Sequence, residues 1–170
     1  MRRTHPTVGR RHRAAASSVL ALVAALVLAT GCVRQSASDD GSEPPASATQ
    51  AVLATATLTV EGHKTAVTLY DTPASRDLLD ELPLTLPVKD VWNQVKWLGL
   101  PDELATEGSE TTTHAGNGSI TYTPGNSMLM FAYIPTDFTS ETYRIGEYDI
   151  ADEEFVKSIE TGTEATLSRG

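Results

Sequence analysis

The chain has 170 residues, 40% of them hydrophobic and 6% aromatic, with 13 basic and 22 acidic residues and a formal charge of −9. Such acidity excludes nucleic-acid binding and attraction to anionic headgroups, because both surfaces repel an acidic protein. Cys32 is the only cysteine, so no disulfide within the chain is possible, and the fold must hold by its core.

Residues 1–31 begin with Arg2, Arg3, Arg10, Arg11 and Arg13, then run without charge from Ala14 to Ala29. A basic stretch, a short apolar run and small residues before a cut describe an export signal. The apolar run is 16 residues, below the roughly 20 that a membrane-spanning helix needs. It closes on Leu28-Ala29-Thr30-Gly31-Cys32, which resembles the lipobox of bacterial lipoproteins. Ala29 stands where leucine is usual, with Leu28 one position further out. The resemblance implies that the Cys32 thiol receives a diacylglycerol and that cleavage leaves Cys32 as the first residue. The expected partner is therefore the membrane, reached through the lipid, with the protein on the extracytoplasmic face. An exported lone cysteine would otherwise be an oxidisable thiol. No acidic residue precedes Cys32, so the processed chain is more acidic than the whole.

Residues 32–51 are small, polar and acidic around Pro44-Pro45. They cannot bury enough apolar area to offset chain entropy and are expected to form a flexible tether. Residues 52–168 are then one domain, long enough for a single core.

Within it, Val52 to Val60 alternates and is rich in threonine, the composition of a strand. Glu61-Gly62-His63-Lys64 supplies a turn and Thr65 to Tyr70 the return strand. Thr72 is a good N-cap, and Pro73 suits the first position of a helix whose apolar stripe is Ala74, Leu78 and Leu82. Pro83 stops it. Leu84–Leu86 and Val88–Val91 read as extended, interrupted by Pro87. Pro101–Leu104 reads as one helical turn, and residues 105–118 as a long polar loop. Ser119–Thr123 alternates, Pro124-Gly125-Asn126 turns the chain, and Met128–Ile134 is an apolar run of strand length. Tyr143–Ile150 reads as a strand with a bulge at Gly146, Ala151–Glu160 as a short helix, and Ala165–Leu167 as a last strand. Many short strands with one or two short helices predict a mainly β fold, a small closed or nearly closed barrel.

The order of these elements resembles the bacterial cyclophilin-like fold proteins. The likeness rests on Leu69-Tyr70-Asp71-Thr72-Pro73-Ala74-Ser75-Arg76-Asp77-Leu78-Leu79, on Leu82-Pro83-Leu84-Thr85-Leu86, and on Gly118-Ser119-Ile120-Thr121-Tyr122. Met128-Leu129-Met130-Phe131 and Ile145-Gly146 complete it. The resemblance implies a cyclophilin-like β-barrel with helices over its ends. It does not carry over an activity. True cyclophilins share a Phe-His-Arg segment and a Gln-Phe-Phe strand; here there is no Phe-His-Arg, and the nearest likeness to the second is Met130-Phe131-Ala132.

Prolyl isomerisation needs an apolar seat and a donor that weakens amide resonance. Met128, Met130, Phe131 and Phe138 are candidates for the seat, Arg144 for the donor, and Trp92 and Trp97 for the rim of a groove. Met128 and Met130 share one face of their strand, Leu129 and Phe131 the other, and one pair is expected to fill the barrel. Core packing for the methionines and phenylalanines, ion pairing for Arg144 and a tryptophan over the barrel end are the competing expectations. His63 and His114 lack neighbours at metal-ligand spacing and are expected to be solvated. No metal or cofactor is expected, and no catalytic residue is carried over. The sequence leads to a membrane-anchored module that binds a peptide or small ligand without catalysis. A weak prolyl isomerase or folding helper is the first alternative, and a structural protein-interaction domain the second.

Overall fold

The computed structural model describes residues 50–170; the export signal, Cys32 and residues 32–49 of the expected tether lie outside the described residues. Nine strands form one antiparallel sheet: β1 (Val52–Val60), β2 (His63–Tyr70), β3 (Leu84–Val91), β4 (Val95–Gly99), β5 (Thr111–Ala115), β6 (Ser119–Thr123), β7 (Met128–Ala132), β8 (Thr136–Tyr148) and β9 (Glu164–Arg169). The order β2-β1-β9-β3-β4-β7-β6-β8 returns to β2 through a β2–β8 pairing, so eight strands close a barrel. β5 stands outside the ring, attached to the first part of β8. Two short helices, α1 (Pro73–Glu81) and α2 (Glu153–Ser158), complete the fold. Among the described residues, no helix is long and apolar enough to cross a membrane.

Local chemistry explains the elements. Glu61 and Gly62 both have positive φ, the backbone of a tight hairpin between β1 and β2. Thr72 caps α1, its hydroxyl accepting from the Ser75 amide at 3.1 Å. Ala74, Leu78 and Leu82 of the expected stripe are buried in the main core. The hydroxyl of Ser75 donates to the Ile145 carbonyl at 3.0 Å and pins the helix to β8. That core fills the barrel, with Leu58, Val67, Leu69, Leu98, Tyr122, Leu129, Phe131 and Ile145 among its buried side chains.

Pro87 does not interrupt β3. The strand pairs with β9 from Leu84 to Pro87 and with β4 from Val88 onward, so the missing N–H falls where the main partner changes. Three other expectations are corrected. Pro101–Leu104 is not helical. The polar stretch from 105 to 118 contains β5, because Thr111-Thr112-Thr113 is β-branched and needs no apolar face on a strand outside the ring. β8 starts at Thr136 rather than Tyr143; its first half carries polar residues because it is a ribbon with β5 and not part of the barrel wall. Gly146 adjoins an irregularity between Ile120 and Thr121, but its lack of a side chain serves a close approach. A Cβ there would lie 2.3 Å from the Thr68 carbonyl oxygen, at the seam that closes the ring.

Candidate functional site

Residues facing each other across paired strands point to the same side of a sheet. Register places Lys89 of β3 opposite Trp97 of β4, Trp97 opposite Met130 of β7, Met130 opposite Thr121 of β6, and Thr121 opposite Arg144 of β8. Their neighbours Leu98, Leu129, Phe131 and Ile120 fill the barrel, so this row of five lies on the outer wall. One step along, Gly99, Met128 and Thr123 form a parallel row.

An apolar cluster adjoins the rows. Val95, Ala132 and Met130 of the wall pack with Ala115 of β5 and Phe138 of β8, with Val91 and Met128 against them. The β5–β8 ribbon therefore folds over one side of the outer wall, and Phe138 is what it brings down.

The polar atoms of these rows are poorly satisfied. Trp97 Nε1, Thr121 Oγ1, Thr123 Oγ1 and Arg144 Nε are buried and have no hydrogen-bond partner. Thr121 is 1% exposed. The Trp97 ring lies against Gly99, where a Cβ would be 3.8 Å from the ring and 3.9 Å from Nε1. Lys89 Nζ sits 4.5 Å from the centroid of the same ring, a cation–π contact. At the other end of the row, Arg144 Nη2 donates to the Tyr70 hydroxyl at 3.2 Å and lies 3.5 Å from Glu147 Oε2. Tyr70 in turn donates to Glu147 at 2.7 Å. Burial, and then that bond to a carboxylate, push the Tyr70 pKa up to about 12, so at neutral pH its hydroxyl keeps its proton and serves as the donor. Glu147 also borders a cleft of about 390 Å³ lined by Ala66, Thr68, Gly118, Asp149 and Ile150.

The structure places Met128, Met130 and Phe138 in one apolar cluster and sets Trp97 and Arg144 in the same row as Met130; Met130 and Phe138 are buried there, the packing role that was the competing expectation. Phe131 does not belong with them: it faces inward, 1% exposed, and packs against Tyr148 at 6.2 Å between ring centroids. Trp92 is not packed over the barrel end. It sits at the tip of the β3–β4 hairpin with φ of +58° and is 66% exposed. Trp97 likewise is on the side wall, not the end. Arg144 makes the expected ion pair, with Glu147. His114 meets Asp137 at 2.7 Å, and His63 meets Asp152 at 3.1 Å and stacks on Phe155. Each histidine thus has one carboxylate partner. Among the described residues, no group of three or more metal-ligating side chains is placed to hold an ion.

Sequence reasoning missed Lys89, Thr121 and Thr123. The signal was present: Thr121 and Thr123 share a parity in β6, and the turn after them fixes the register that sets them beside Met130 and Met128.

The sequence matches the Cyclophilin-like family over residues 58–168, most of the described chain. The chain belongs to the cyclophilin-like family. Among solved structures, the solution structure of the hypothetical protein AF2241 from Archaeoglobus fulgidus is similar with a TM-score of 0.49 and 16% identity, over 72% of this chain and 99% of that one. No curated protein sequence matches. For a cyclophilin-like domain, this one has an outer wall that combines an apolar cluster with unpaired donors, and it lacks the Phe-His-Arg and Gln-Phe-Phe segments of the isomerases.

Proposed function

We propose that this cyclophilin-like protein is a lipoprotein anchored through Cys32 on the extracytoplasmic face of the membrane, and that its barrel binds a peptide or small ligand without catalysis. One observation carries the binding reading: buried polar atoms without partners are rare in folded proteins, and here four fall on the outer faces of β4, β6 and β8, the strands around Met128 and Met130 of β7. The hydrogen-bonding capacity of these atoms is not used within the fold, which leaves it for a group from outside. A specific observation keeps weak prolyl isomerase activity as the second reading: Arg144 stands in the same row as Met130, two strands away, so a donor and an apolar cluster share the outer face.

The test uses the isotope-labelled chain from residue 32 with Cys32→Ser, and an alanyl-proline peptide observed by NMR exchange. Shifted resonances of Thr121, Met130 and Trp97 without faster cis/trans exchange are the expected result. Faster exchange that is lost in Met130→Ala makes the protein an isomerase. If neither occurs, the groove is not a peptide site. For the anchor, full-length Cys32→Ser is expected in the soluble fraction of cells in which the parent sediments with membranes. Continued sedimentation of the variant refutes lipid anchoring.

A further inference from the structure

The open cleft of about 390 Å³ beside the β2–β8 seam has the size of a small-molecule site. Its lining has two parts, hydrogen-bond acceptors and exposed apolar surface. Glu147 and Asp149 flank the buried Tyr148, so both carboxylates stand on the outer side of the chain, about 7 Å apart along it. Each is held by one oxygen. Glu147 Oε2 accepts from Tyr70 at 2.7 Å and meets Arg144 at 3.5 Å, while Asp149 Oδ1 accepts from the Ala151 amide at 3.0 Å. Among the described residues, no hydrogen bond takes Glu147 Oε1 or Asp149 Oδ2. Asn117 lines the cleft from the turn before β6. Its side-chain nitrogen donates to Glu153 at 2.9 Å, which leaves its carbonyl oxygen as a third acceptor. No lysine or arginine is among the lining residues.

The apolar part is Ala66 and Ile150. Ile150 is 54% exposed, one of four large hydrophobic side chains left so among the described residues. It lies against Gly118, where φ is +79° and a Cβ would come within 3.3 Å of Ile150 Cδ1. Any side chain at position 118 would press on this wall of the cleft.

These features choose among cations. A guanidinium pairs best by its planar fork with both oxygens of one carboxylate, and here one oxygen of each is taken within the fold. Single acceptors on separate side chains suit an ammonium, a compact charge with three donors. Ion pairs to exposed carboxylates contribute little alone, so the ligand also needs an apolar stem to lie on Ile150. We infer that the cleft binds a primary ammonium carried on an alkyl stem, the ammonium between Glu147 and Asp149 and the stem over Ile150 and Ala66. None of these residues belongs to the rows of the outer wall, so this site stands or falls apart from the binding reading above.

The experiment titrates the isotope-labelled chain from residue 32, carrying Cys32→Ser, with Nα-acetyl-lysine methylamide, with its neutral Nζ-acetyl form, and with 1,5-diaminopentane. The lysine compound is expected to shift the amides of Gly118 and Asp149 and the Ile150 methyls, and to bind about tenfold more tightly than the neutral form. Added salt is expected to weaken it. Asp149→Asn keeps the cap on Ala151 and deletes a charge, so binding is expected to weaken about threefold with an unchanged melt. If that variant melts lower, Glu147→Gln decides in its place, because glutamine still accepts from Tyr70. Equal binding of the charged and neutral lysine compounds overturns the inference, as does parent-like binding in the deciding variant. Shifts spread over carboxylates outside the cleft, with none at Gly118 or Ile150, also overturn it, because the attraction is then general. Binding of the diamine alone supports it with a free amine as the ligand, and binding of both supports it with lysine side chains as ligands too. Binding of neither overturns it and leaves the outer-wall reading untouched.

Discussion

Lys96 is the residue whose removal the fold should feel most sharply for its size. It is 3% exposed, and its ammonium donates to the Asp90 carboxylate and, at 2.7 Å, to the Ile159 carbonyl. Tyr133 closes the group, its hydroxyl 3.0 Å from both Asp90 oxygens and its ring 5.1 Å from Lys96 Nζ. Burial, and then Asp90, push the Tyr133 pKa up to about 12, so the hydroxyl remains a donor at neutral pH. These contacts tie β3, β4 and the end of α2 together at one mouth of the barrel. Lys96→Met keeps the apolar stem and deletes the charge. The Ile159 carbonyl is left unpaired, which costs about 1–3 kcal/mol, and Asp90 loses a charged hydrogen bond of about the same size. Desolvation of the ammonium is no longer a cost, and Asp90 retains some contact with water, so the net loss is expected near 3 kcal/mol. For a domain of this length that lowers the melting temperature by roughly 10 °C. Calorimetry or urea unfolding at pH 7 measures it. The double variant Lys96→Met with Asp90→Asn removes the stranded carboxylate and is expected to recover part of the loss. A Lys96→Met variant within about 1 kcal/mol of the parent, or losses that simply add in the double variant, would refute the coupled-network reasoning.

Gly146→Ala puts a Cβ 2.3 Å from the Thr68 carbonyl oxygen at a seam of only three residue pairs; a loss of about 3 kcal/mol or more is expected, and a parent-like thermal melt contradicts it. The Glu81 carboxyl is held above its ordinary 4.5, first by burial and then by Asp102 and Asp77. The folded state therefore holds that proton more tightly than the unfolded chain, and stability drops as pH rises past 4.5 and the group ionises. Glu81→Gln is expected to melt higher than the parent at pH 7 and to lose that advantage well below pH 4.5; a difference constant with pH refutes the assignment. Thr72→Ala removes the cap of α1 and should cost about 1 kcal/mol by urea unfolding, with no change excluding a capping role.

What the sequence disclosed follows from where burial creates a pattern. β1, β2, β6 and β7 alternate or run apolar because the barrel interior takes every second side chain, and they were legible. The capped helix at Thr72-Pro73 was legible because capping is local chemistry. β5 and the first half of β8 were not, since a ribbon outside the ring has no wall to face and its threonines read as loop. The site was half legible. Parity alone put Met128 and Met130 on one face, opposite Leu129 and Phe131, but it could not say which pair filled the barrel. Neither could it rank Trp92 against Trp97: one ends a tight turn and the other pairs with Met130, a difference made by strand register.

The outlying strand β5 has a further consequence. It is the one strand at an end of the sheet order, with a single partner. An uncovered edge of this kind is a template on which another copy can add a strand and so begin an aggregate. Here the register with β8 jumps between Thr112 and His114, and the Thr112 hydroxyl takes up both the amide and the carbonyl of His114 at 3.0 Å. A strand whose fourth residue is already held by a side chain of the same strand offers no continuous ladder. A second copy meeting that edge finds a ladder broken at His114, which disfavours strand addition there.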